Sequence, residues 1–330
     1  MKALLNHREF VLALILIGGI AAISAYQPAF LTWGNVGDML TETSVLFMMA
    51  LAQMVVILTR GIDLSVAANL ALSGMMAALV SQYYPETPLI LMILTGIVCG
   101  LVLGMINGAL IAFLGIPAIV MTLGTLAVFR GMIIIIAGGD QVNASEMSAA
   151  FQAFPKQVFL GLTSPVWIAM AVSILFWIFL NFTRAGRGLY AVGGNPVAAR
   201  YCGIDQRKQE LLAYSISGAV SGLCGYLWVA RYGVAYSEIA SGYELTVIAA
   251  CVIGGVSIGG GIGTVAGTLL GALFLGIVMT ALPVMQISPF WQMAISGAVI
   301  LTAVIINARA ERRPNKLILP EARRLRRVSS

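Results

Sequence analysis

The sequence predicts an all-α integral membrane protein with about ten transmembrane helices. Of its 330 residues, 60% are hydrophobic and only 10% are charged, and the mean hydropathy is +0.96. Soluble domains usually carry about 25% charged residues, because most of their surface must face water. The apolar residues also fall into long runs, and most basic residues collect in three segments beside those runs. A bilayer is the solvent that fits this pattern.

A membrane-spanning helix needs about 20 mostly apolar residues. Ten candidate runs occupy residues 10–25, 44–58, 64–80, 89–114, 118–136, 165–180, 211–229, 245–257, 264–282 and 290–306. Turn-forming residues separate them. The run at 245–257 is short and continues into the glycine-rich stretch 254–263, so we expect it to be bent or re-entrant. The first run is expected to be an uncleaved anchor rather than a signal peptide.

The basic residues predict the orientation, because Lys and Arg concentrate in cytoplasmic segments. Of the 19, two precede the first span, five lie within 182–210, and eight follow residue 307. With ten spans, these three segments share one side. We therefore expect a single membrane domain at 10–306, with residues 1–9, the loop 182–210 and the tail 307–330 in the cytoplasm. The tail is interpreted as an anchor facing anionic lipid rather than a nucleic-acid patch.

Several kinds of chemistry are excluded by what the sequence lacks. It contains no GxxxxGK[ST] motif, so no ATP site is expected in this chain. Its four cysteines are scattered, and its one histidine, His7, precedes the first span. We therefore predict no catalytic residues, no disulfide framework and no metal site. Acidic groups are scarce within the spans, which argues against a proton-driven carrier.

A polar break interrupts the apolar pattern at Arg60 and Asp63. Asp63 precedes the run that begins at residue 64, where a carboxylate makes a good helix N-cap. The favoured interpretation is a cap with Arg60 as its counter-charge. The alternative is a polar site in a broken helix near a transport pathway.

The spacing of glycines and the polar residues within the predicted spans indicate which positions face the interior of the helix bundle. Two rows with a spacing of four predict close helix packing: Gly100 and Gly104, and Gly263, Gly267 and Gly271. Asn107, Thr122 and Thr125 lie at lipid depth, so they must face protein or water. Arg130 also lies within a span, and it is expected to face the bundle interior or extend toward the outer surface.

The loop 182–210 contains the signature of a short helix. Asn195 suits the N-cap, Pro196 suits the first turn, and Gly203 suits the end. This helix is too short to span and is expected to lie flat at the membrane surface. Gly193 and Gly194 are expected to permit a sharp backbone turn into it.

Four motifs, in this order and covering nearly the whole chain, resemble those of the membrane subunits of bacterial ABC importers for monosaccharides, the ribose, xylose and arabinose permease family. They are GIDLS at 61–65; NG at 107–108 with IPAIVMTLGT at 116–125; TRAGRGLYAVGGN at 183–195; and AACVIGGVSIGGGIG at 249–263 with GT at 267–268. Ala67, Ala68 and Asn69 stand where many members have Gly-Ser, and Arg60 replaces a common glycine. These departures look most like the rhamnose and autoinducer-2 branch.

The resemblance implies an assembly in the bacterial inner membrane. Its parts would be two permease subunits, as a homo- or heterodimer, cytoplasmic ATPase subunits that bind the ATP, and a periplasmic sugar-binding protein. It also implies an inverted repeat in the fold. Neither a cofactor in this chain nor a nucleic-acid partner is expected. The expected substrate is a rhamnose-like sugar or another pentose or hexose, with an autoinducer-2 type signal as the alternative. A self-sufficient carrier or channel and a membrane enzyme are the competing classes.

The implied activity gives the buried polar residues two candidate roles. A neutral sugar needs hydrogen-bonding walls with little charge, so Asn69, Ser73, Asn107, Thr122 and Thr125 are expected to line the pathway. The alternative is interhelical hydrogen bonding, worth about 1 kcal/mol for each bond.

The short helix in 182–210 is the expected contact with the ATPase, since work must enter this chain through an ordered cytoplasmic element. The residues assigned to this coupling loop are Gly194, Asn195, Pro196, Ala198, Ala199, Arg200 and Gly203. Ala198 and Ala199 are small enough to enter a groove on the partner. The alternative is a solvated loop whose arginines only fix the topology.

Overall fold

The computed structural model describes residues 8–285 and, beyond them, residues 287–288, 291, 294, 297–298, 301–302 and 305. Within these residues the chain forms twelve α-helices: α1 (Arg8–Tyr26), α2 (Trp33–Leu58), α3 (Val66–Tyr83), α4 (Leu89–Leu114), α5 (Ala118–Ile136), α6 (Ala149–Ala153), α7 (Ser164–Phe182), α8 (Arg184–Gly194), α9 (Pro196–Tyr201), α10 (Gln206–Tyr232), α11 (Tyr243–Ile253) and α12 (Val265–Val284). The expected basic tail at 307–330 lies outside the described residues, as do the first seven residues.

Short strands join the loops at one end of the helices. Strand β1 (Val142–Asn143) pairs antiparallel with β4 (Val234–Ala235), and β2 (Val158–Phe159) pairs antiparallel with β3 (Leu162–Thr163). Each of these strands has only two residues, so the body of the described chain is helical. This confirms the predicted helical membrane class.

Within the described residues, seven helices are long and apolar enough to cross a membrane: α2, α3, α4, α5, α7, α10 and α12. Two shorter apolar helices correspond to two further predicted spans. One is the apolar part of α1, Glu9–Ala25, and the other is α11. The tenth predicted span, at 290–306, lies mostly outside the described residues, so the count of ten stays a prediction.

Helix α2 forms the centre of the bundle. Its residues from Ser44 to Leu58 are almost all buried, and α7, α10, α11 and α12 pack directly against it. By contrast, α4, α5 and α7 expose large apolar side chains, among them Val98, Ile135 and Leu175. Apolar surface of this extent fits contact with lipid or with another membrane helix.

A glycine seam joins α4 to α10. A Cβ atom added to Gly100 would lie 2.3 Å from the carbonyl oxygen of Gly218, and one added to Gly104 would lie 2.3 Å from that of Tyr214. The two backbones therefore touch without intervening side chains, which is the close packing that the spacing of Gly100 and Gly104 predicts.

A second glycine contact joins α11 to α12. A Cβ atom on Gly267 would lie 2.2 Å from the carbonyl oxygen of Gly254, and one on Gly271 would lie 2.1 Å from that of Ala250. Gly263 meets only the side chain of Val256 within 3.4 Å, so this first member of the predicted row is not part of the backbone contact. With 11 residues, α11 rises about 16 Å, which is short of the bilayer core, as expected for a bent span.

Charged residues separate toward the two ends of the bundle. The basic end, where α2, α4 and α7 finish, holds Arg60 and the basic residues of the loop at 183–205 and the first turn of α10. The acidic end holds Asp38, Glu42, Glu86, Asp140, Glu146, Glu238 and Glu244. Arg231 at this end pairs with Glu42 at 2.5 Å. The helix directions thus agree with the predicted segregation of charge, while the assignment of the basic end to the cytoplasm stays a prediction.

Candidate functional site

The break between α2 and α3 lies at the basic end and contains Arg60 and Asp63. Asp63 is buried, and its Oδ1 accepts hydrogen bonds from the backbone N–H of Ser65 at 2.9 Å and from the Ser65 hydroxyl at 2.7 Å. Asp63 therefore forms a short Asx-type turn just before α3. The N-cap residue of α3 is Ser65, so the prediction that Asp63 is itself the N-cap is wrong. Burial raises the pKa of the Asp63 carboxyl, and the hydrogen bonds from Ser65 oppose that rise.

The expectation that Arg60 serves as the counter-charge of Asp63 is wrong. The Arg60 side chain is exposed, and its guanidinium donates to the carbonyl oxygens of Gly193 and Gly194, at 2.7 and 3.0 Å. The backbone of Arg60 adopts φ of 69°, in the left-handed region. Because that conformation reverses the direction of the chain after α2, Arg60 faces α8 while Asp63 faces the interior.

A buried polar cluster continues inward from Asp63. The amide of Asn107, on α4, donates to the Ser65 hydroxyl at 2.8 Å. Among the described residues, nothing forms a hydrogen bond with the Asn107 Oδ1 atom or with the buried hydroxyl of Tyr214 on α10. The cluster therefore joins the break to α4 and leaves acceptor and donor capacity inside the protein.

The other predicted pathway residues are also buried. Asn69 donates to the Gly100 carbonyl oxygen at 3.1 Å and accepts from the Ser73 hydroxyl at 3.0 Å. The Thr122 hydroxyl lies 2.9 Å from the Ala118 carbonyl oxygen of its own helix and 3.2 Å from that of Ile62, and Thr125 donates within α5. In a single chain these groups are thus engaged in interhelical or intrahelical hydrogen bonds. They meet on α3, α4 and the start of α5, on the interior side of the break.

The predicted short helix is present as α9. The Asn195 Oδ1 accepts from the backbone N–H of Ala198 at 3.0 Å, Pro196 occupies the first turn, and Gly203 follows the helix with φ of 78°. The start signal and the stop signal therefore act as the sequence predicts. The last helical residue is Tyr201.

The helix exposes a different face from the one expected. Ala199 is buried against the chain itself, whereas Ala198 is exposed. Val197 is 65% exposed and Tyr201 is 89% exposed. Ala199 therefore packs α9 onto its own subunit, and the apolar surface that α9 offers outward consists of Val197, Ala198 and Tyr201.

Helix α8 precedes α9 and was missed by the sequence analysis. Thr183 caps it by accepting from the backbone N–H of Gly186 at 2.9 Å, and Tyr190 fastens it by donating to the Gly263 carbonyl oxygen at 2.9 Å. Gly193 and Gly194 both lie in this helix, so neither supplies the sharp turn that was expected of them. The small size of Gly193 serves a close approach, because a Cβ atom there would lie 1.7 Å from the Leu58 carbonyl oxygen.

A polar cavity of about 1050 Å³ opens at the basic end between α9, the start of α10 and the loop joining α4 to α5. Arg60, Arg200, Glu210 and Tyr214 contribute to its wall. The cavity therefore reaches from the exposed loop helices to Tyr214, whose hydroxyl borders the buried cluster.

At the acidic end, Arg130 holds a loop against α5. Its guanidinium donates to the backbone carbonyl oxygens of Ser237 and Ile239, the latter at 2.8 Å. The residue is partly buried, so it neither faces lipid nor extends freely into water. It thus fixes the segment that leads into α11.

The fold alone indicates a multi-helix membrane protein. Its described residues combine a buried polar interior with an ordered helical loop at one end. The chain matches the family model "Branched-chain amino acid transport system / permease component" over residues 35–304. It is 36% identical over 312 residues to the ribose import permease protein RbsC of Escherichia coli K12, covering 94% of this chain and 96% of that protein.

Two further relatives are also permease proteins of import or transport systems. The D-allose transport system permease protein AlsC of Escherichia coli K12 is 34% identical, covering 90% of each chain. The autoinducer 2 import system permease protein LsrC of Enterobacter sp. strain 638 is 33% identical, covering 94% of this chain and 89% of that protein. No solved structure matches the chain. The chain belongs to the ABC importer permease family that includes these proteins, so it is a transport component and not an enzyme.

Proposed function

We propose that this chain is a permease subunit that carries a monosaccharide across the bacterial inner membrane, as one domain, with its energy supplied by a separate ATPase. The observation that supports this most strongly is 36% identity to a ribose permease over 94% of this chain and 96% of that protein. The absence of a phosphate-binding motif from the sequence fits a division of labour in which another chain binds ATP.

The arrangement of charge supports an orientation for this assembly. The basic end, with α8 and α9, would face the cytoplasm and the ATPase. The acidic end, with its paired strands and the loop held by Arg130, would face a periplasmic binding protein. The exposed apolar faces of α4, α5 and α7 leave room for a second permease subunit as well as for lipid.

We assign ATPase coupling to α9 and the residues beside it: Gly194, Asn195, Pro196, Ala198, Ala199, Arg200 and Gly203. Two exposed apolar side chains, Val197 and Tyr201, support a docking role, because apolar surface on an otherwise polar end is typical of an interface. Asn195 and the buried Ala199 would hold the helix rigid, which a contact that transmits force requires.

A co-purification experiment tests this assignment. Tyr201→Glu should lower recovery of the co-expressed ATPase by about tenfold, since a carboxylate replaces an aromatic anchor of the interface. Tyr84→Glu is the matched control, because Tyr84 is also exposed, at 67%, but lies at the acidic end. Full ATPase recovery with a correctly inserted Tyr201→Glu chain would refute docking through α9.

We propose that Asn69, Ser73, Asn107, Thr122 and Thr125 border the sugar pathway. Their grouping beside the α2–α3 break supports this, as does the spare hydrogen-bonding capacity of Asn107. The hydrogen bonds that these side chains make to one another and to the backbone fit a role in helix packing equally well. Labelling of cysteines placed at these positions separates the two roles, because only a pathway admits small water-soluble thiol reagents.

A rhamnose-like sugar is the proposed substrate, and an autoinducer-2 type signal is the alternative. The departures at Ala67, Ala68 and Asn69 support this branch, whereas ribose and allose permeases are also among the relatives. Calorimetric titration of the cognate binding protein with rhamnose, ribose, allose and autoinducer-2 decides the matter. Tight binding of ribose or allose alone would contradict the proposed branch.

A further inference from the structure

Arg60 combines two unusual features at one position. Its φ of 69° lies in the left-handed region, which residues with a side chain seldom adopt outside turns. Glycine would adopt this conformation without strain. The backbone of Arg60 ends α2 in a Schellman motif, in which the Arg60 N–H donates to the Ile57 carbonyl oxygen at 2.9 Å and the Gly61 N–H donates to that of Val56 at 3.2 Å. Because glycine is the usual residue at this position, the contacts of the arginine side chain indicate what the residue adds.

The side chain of Arg60 closes the end of α8. Its Nε donates to the Gly193 carbonyl oxygen at 2.7 Å, and its Nη2 donates to that of Gly194 at 3.0 Å. These are the last two residues of α8. Terminal carbonyls lack partners within their own helix, and the C-terminal end of a helix carries a partial negative charge. Arg60, at the end of α2, supplies hydrogen-bond donors to these carbonyls and a positive charge next to the negative end of α8.

The backbone segments around Arg60 are in direct contact with one another. A Cβ atom on Gly193 would lie 1.7 Å from the Leu58 carbonyl oxygen, at the end of α2. The same Leu58 oxygen accepts from the Gly261 N–H at 3.0 Å, which brings in the loop between α11 and α12. Three segments thus meet at Arg60, and α8 cannot shift relative to α2 without disturbing the junction.

The junction connects directly to the buried polar groups. The Thr122 hydroxyl on α5 lies 3.2 Å from the carbonyl oxygen of Ile62, two residues after Arg60, and its nearer acceptor is the Ala118 carbonyl oxygen of α5 at 2.9 Å. Three residues after Arg60, Asp63 binds Ser65, which in turn accepts from Asn107 on α4. A displacement at α8 therefore has a short, hydrogen-bonded route to the groups proposed to border the pathway.

We infer that Arg60 is a positioning residue that ties α8 and α9 to the α2–α3 break, so that movement imposed on α9 reaches the polar interior. This inference rests on the proposed function. It assigns to a single side chain the link between the docking helix and the interior of the permease.

The test uses the complete complex of permease, ATPase and binding protein in proteoliposomes. The ratio of sugar taken up to ATP hydrolysed is measured for wild type, Arg60→Gln, Arg60→Lys and Arg187→Gln. Arg187 is the matched control, because it is an exposed arginine on α8 whose guanidinium donates to Asn181 at 3.3 Å and, within the described part of the chain, not to α2. We expect Arg60→Gln to lower the ratio about tenfold, a typical size for coupling between sites. Arg60→Lys should recover part of the loss, and Arg187→Gln should not change the ratio.

Three outcomes overturn the inference: an unchanged ratio in Arg60→Gln, an equal fall in Arg187→Gln, or no recovery in Arg60→Lys. A wild-type complex without ATP-dependent uptake would instead refute the proposed function, so the two failures are distinct. A second measurement does not need transport. Backbone hydrogen exchange at residues 193–203 should be faster in Arg60→Gln than in wild type or Arg187→Gln, and equal exchange in all three would also overturn the inference.

Discussion

The glycine seam between α4 and α10 makes a quantitative prediction for Gly104→Ala. The new Cβ atom would lie 2.3 Å from the Tyr214 carbonyl oxygen and 2.8 Å from the Gly218 Cα atom. The first distance is about 1 Å closer than the 3.4 Å at which ordinary contact begins, so the two backbones must separate. Overpacking costs about 1–3 kcal/mol, and the contacted atoms are backbone, which places this substitution at the upper end of that range. The better helix propensity of alanine offsets about 1 kcal/mol, so about 2 kcal/mol of destabilisation remains. We expect the melting temperature to fall by about 2–6 °C.

The assay is thermal unfolding of the detergent-solubilised chain followed by intrinsic fluorescence. Gly124→Ala is the matched control, because Gly124 also lies inside a long apolar helix but a Cβ atom there would meet nothing within 4 Å. Its melting temperature should equal or exceed that of the wild type. If Gly104→Ala unfolds at the wild-type temperature, the backbone contact between α4 and α10 is not as close as described, and the reasoning fails.

Three further predictions concern topology, the pathway and the acidic end. Reporter fusions after residues 144 and 200 should report opposite sides of the membrane, with residue 200 in the cytoplasm, and finding both on one side would contradict the bundle's orientation. Cysteines at positions 69, 107 and 122 should react with small water-soluble thiol reagents during transport, and uniform protection would leave only helix packing. Arg130→Gln should speed hydrogen exchange at residues 237–239 because two backbone carbonyls lose their donor, and unchanged exchange there would show that Arg130 does not hold this loop.

Periodic and capping signals in the sequence predicted much of the fold. The spacing of Gly100 and Gly104 predicted that α4 packs closely against another helix, because a glycine row has few uses in lipid other than close packing, but it did not indicate that the partner is α10. Asn195 and Pro196 located the start of α9, and Gly203 lies two residues after its last helical residue, Tyr201, because each acts through its own side-chain or backbone geometry. Such local signals do not depend on the rest of the chain.

The signals that failed depend on contacts distant in sequence. Helix α8 has glycine at four of its 11 positions, each costing about 1 kcal/mol relative to alanine, so its local preference opposes a helix. Close contacts with Phe179, Gln209 and Leu58 require three of these glycines, Gly186, Gly188 and Gly193, to lack a side chain, whereas a Cβ atom on Gly194 would meet nothing within 4 Å. The proposed pairing of Arg60 with Asp63 failed for a related reason, because the left-handed backbone at Arg60 that separates the two side chains is not evident from residue type.

We propose that this chain moves a sugar only when an ATPase drives it. The direct measurement is uptake of radiolabelled sugar into proteoliposomes containing the chain, with the ATPase and a sugar-loaded binding protein each supplied or withheld. We expect uptake against a concentration gradient only when both partners and ATP are present, and none by the chain alone. Uptake by the purified chain in response to an ion gradient, without the ATPase, would contradict it and identify a self-sufficient carrier.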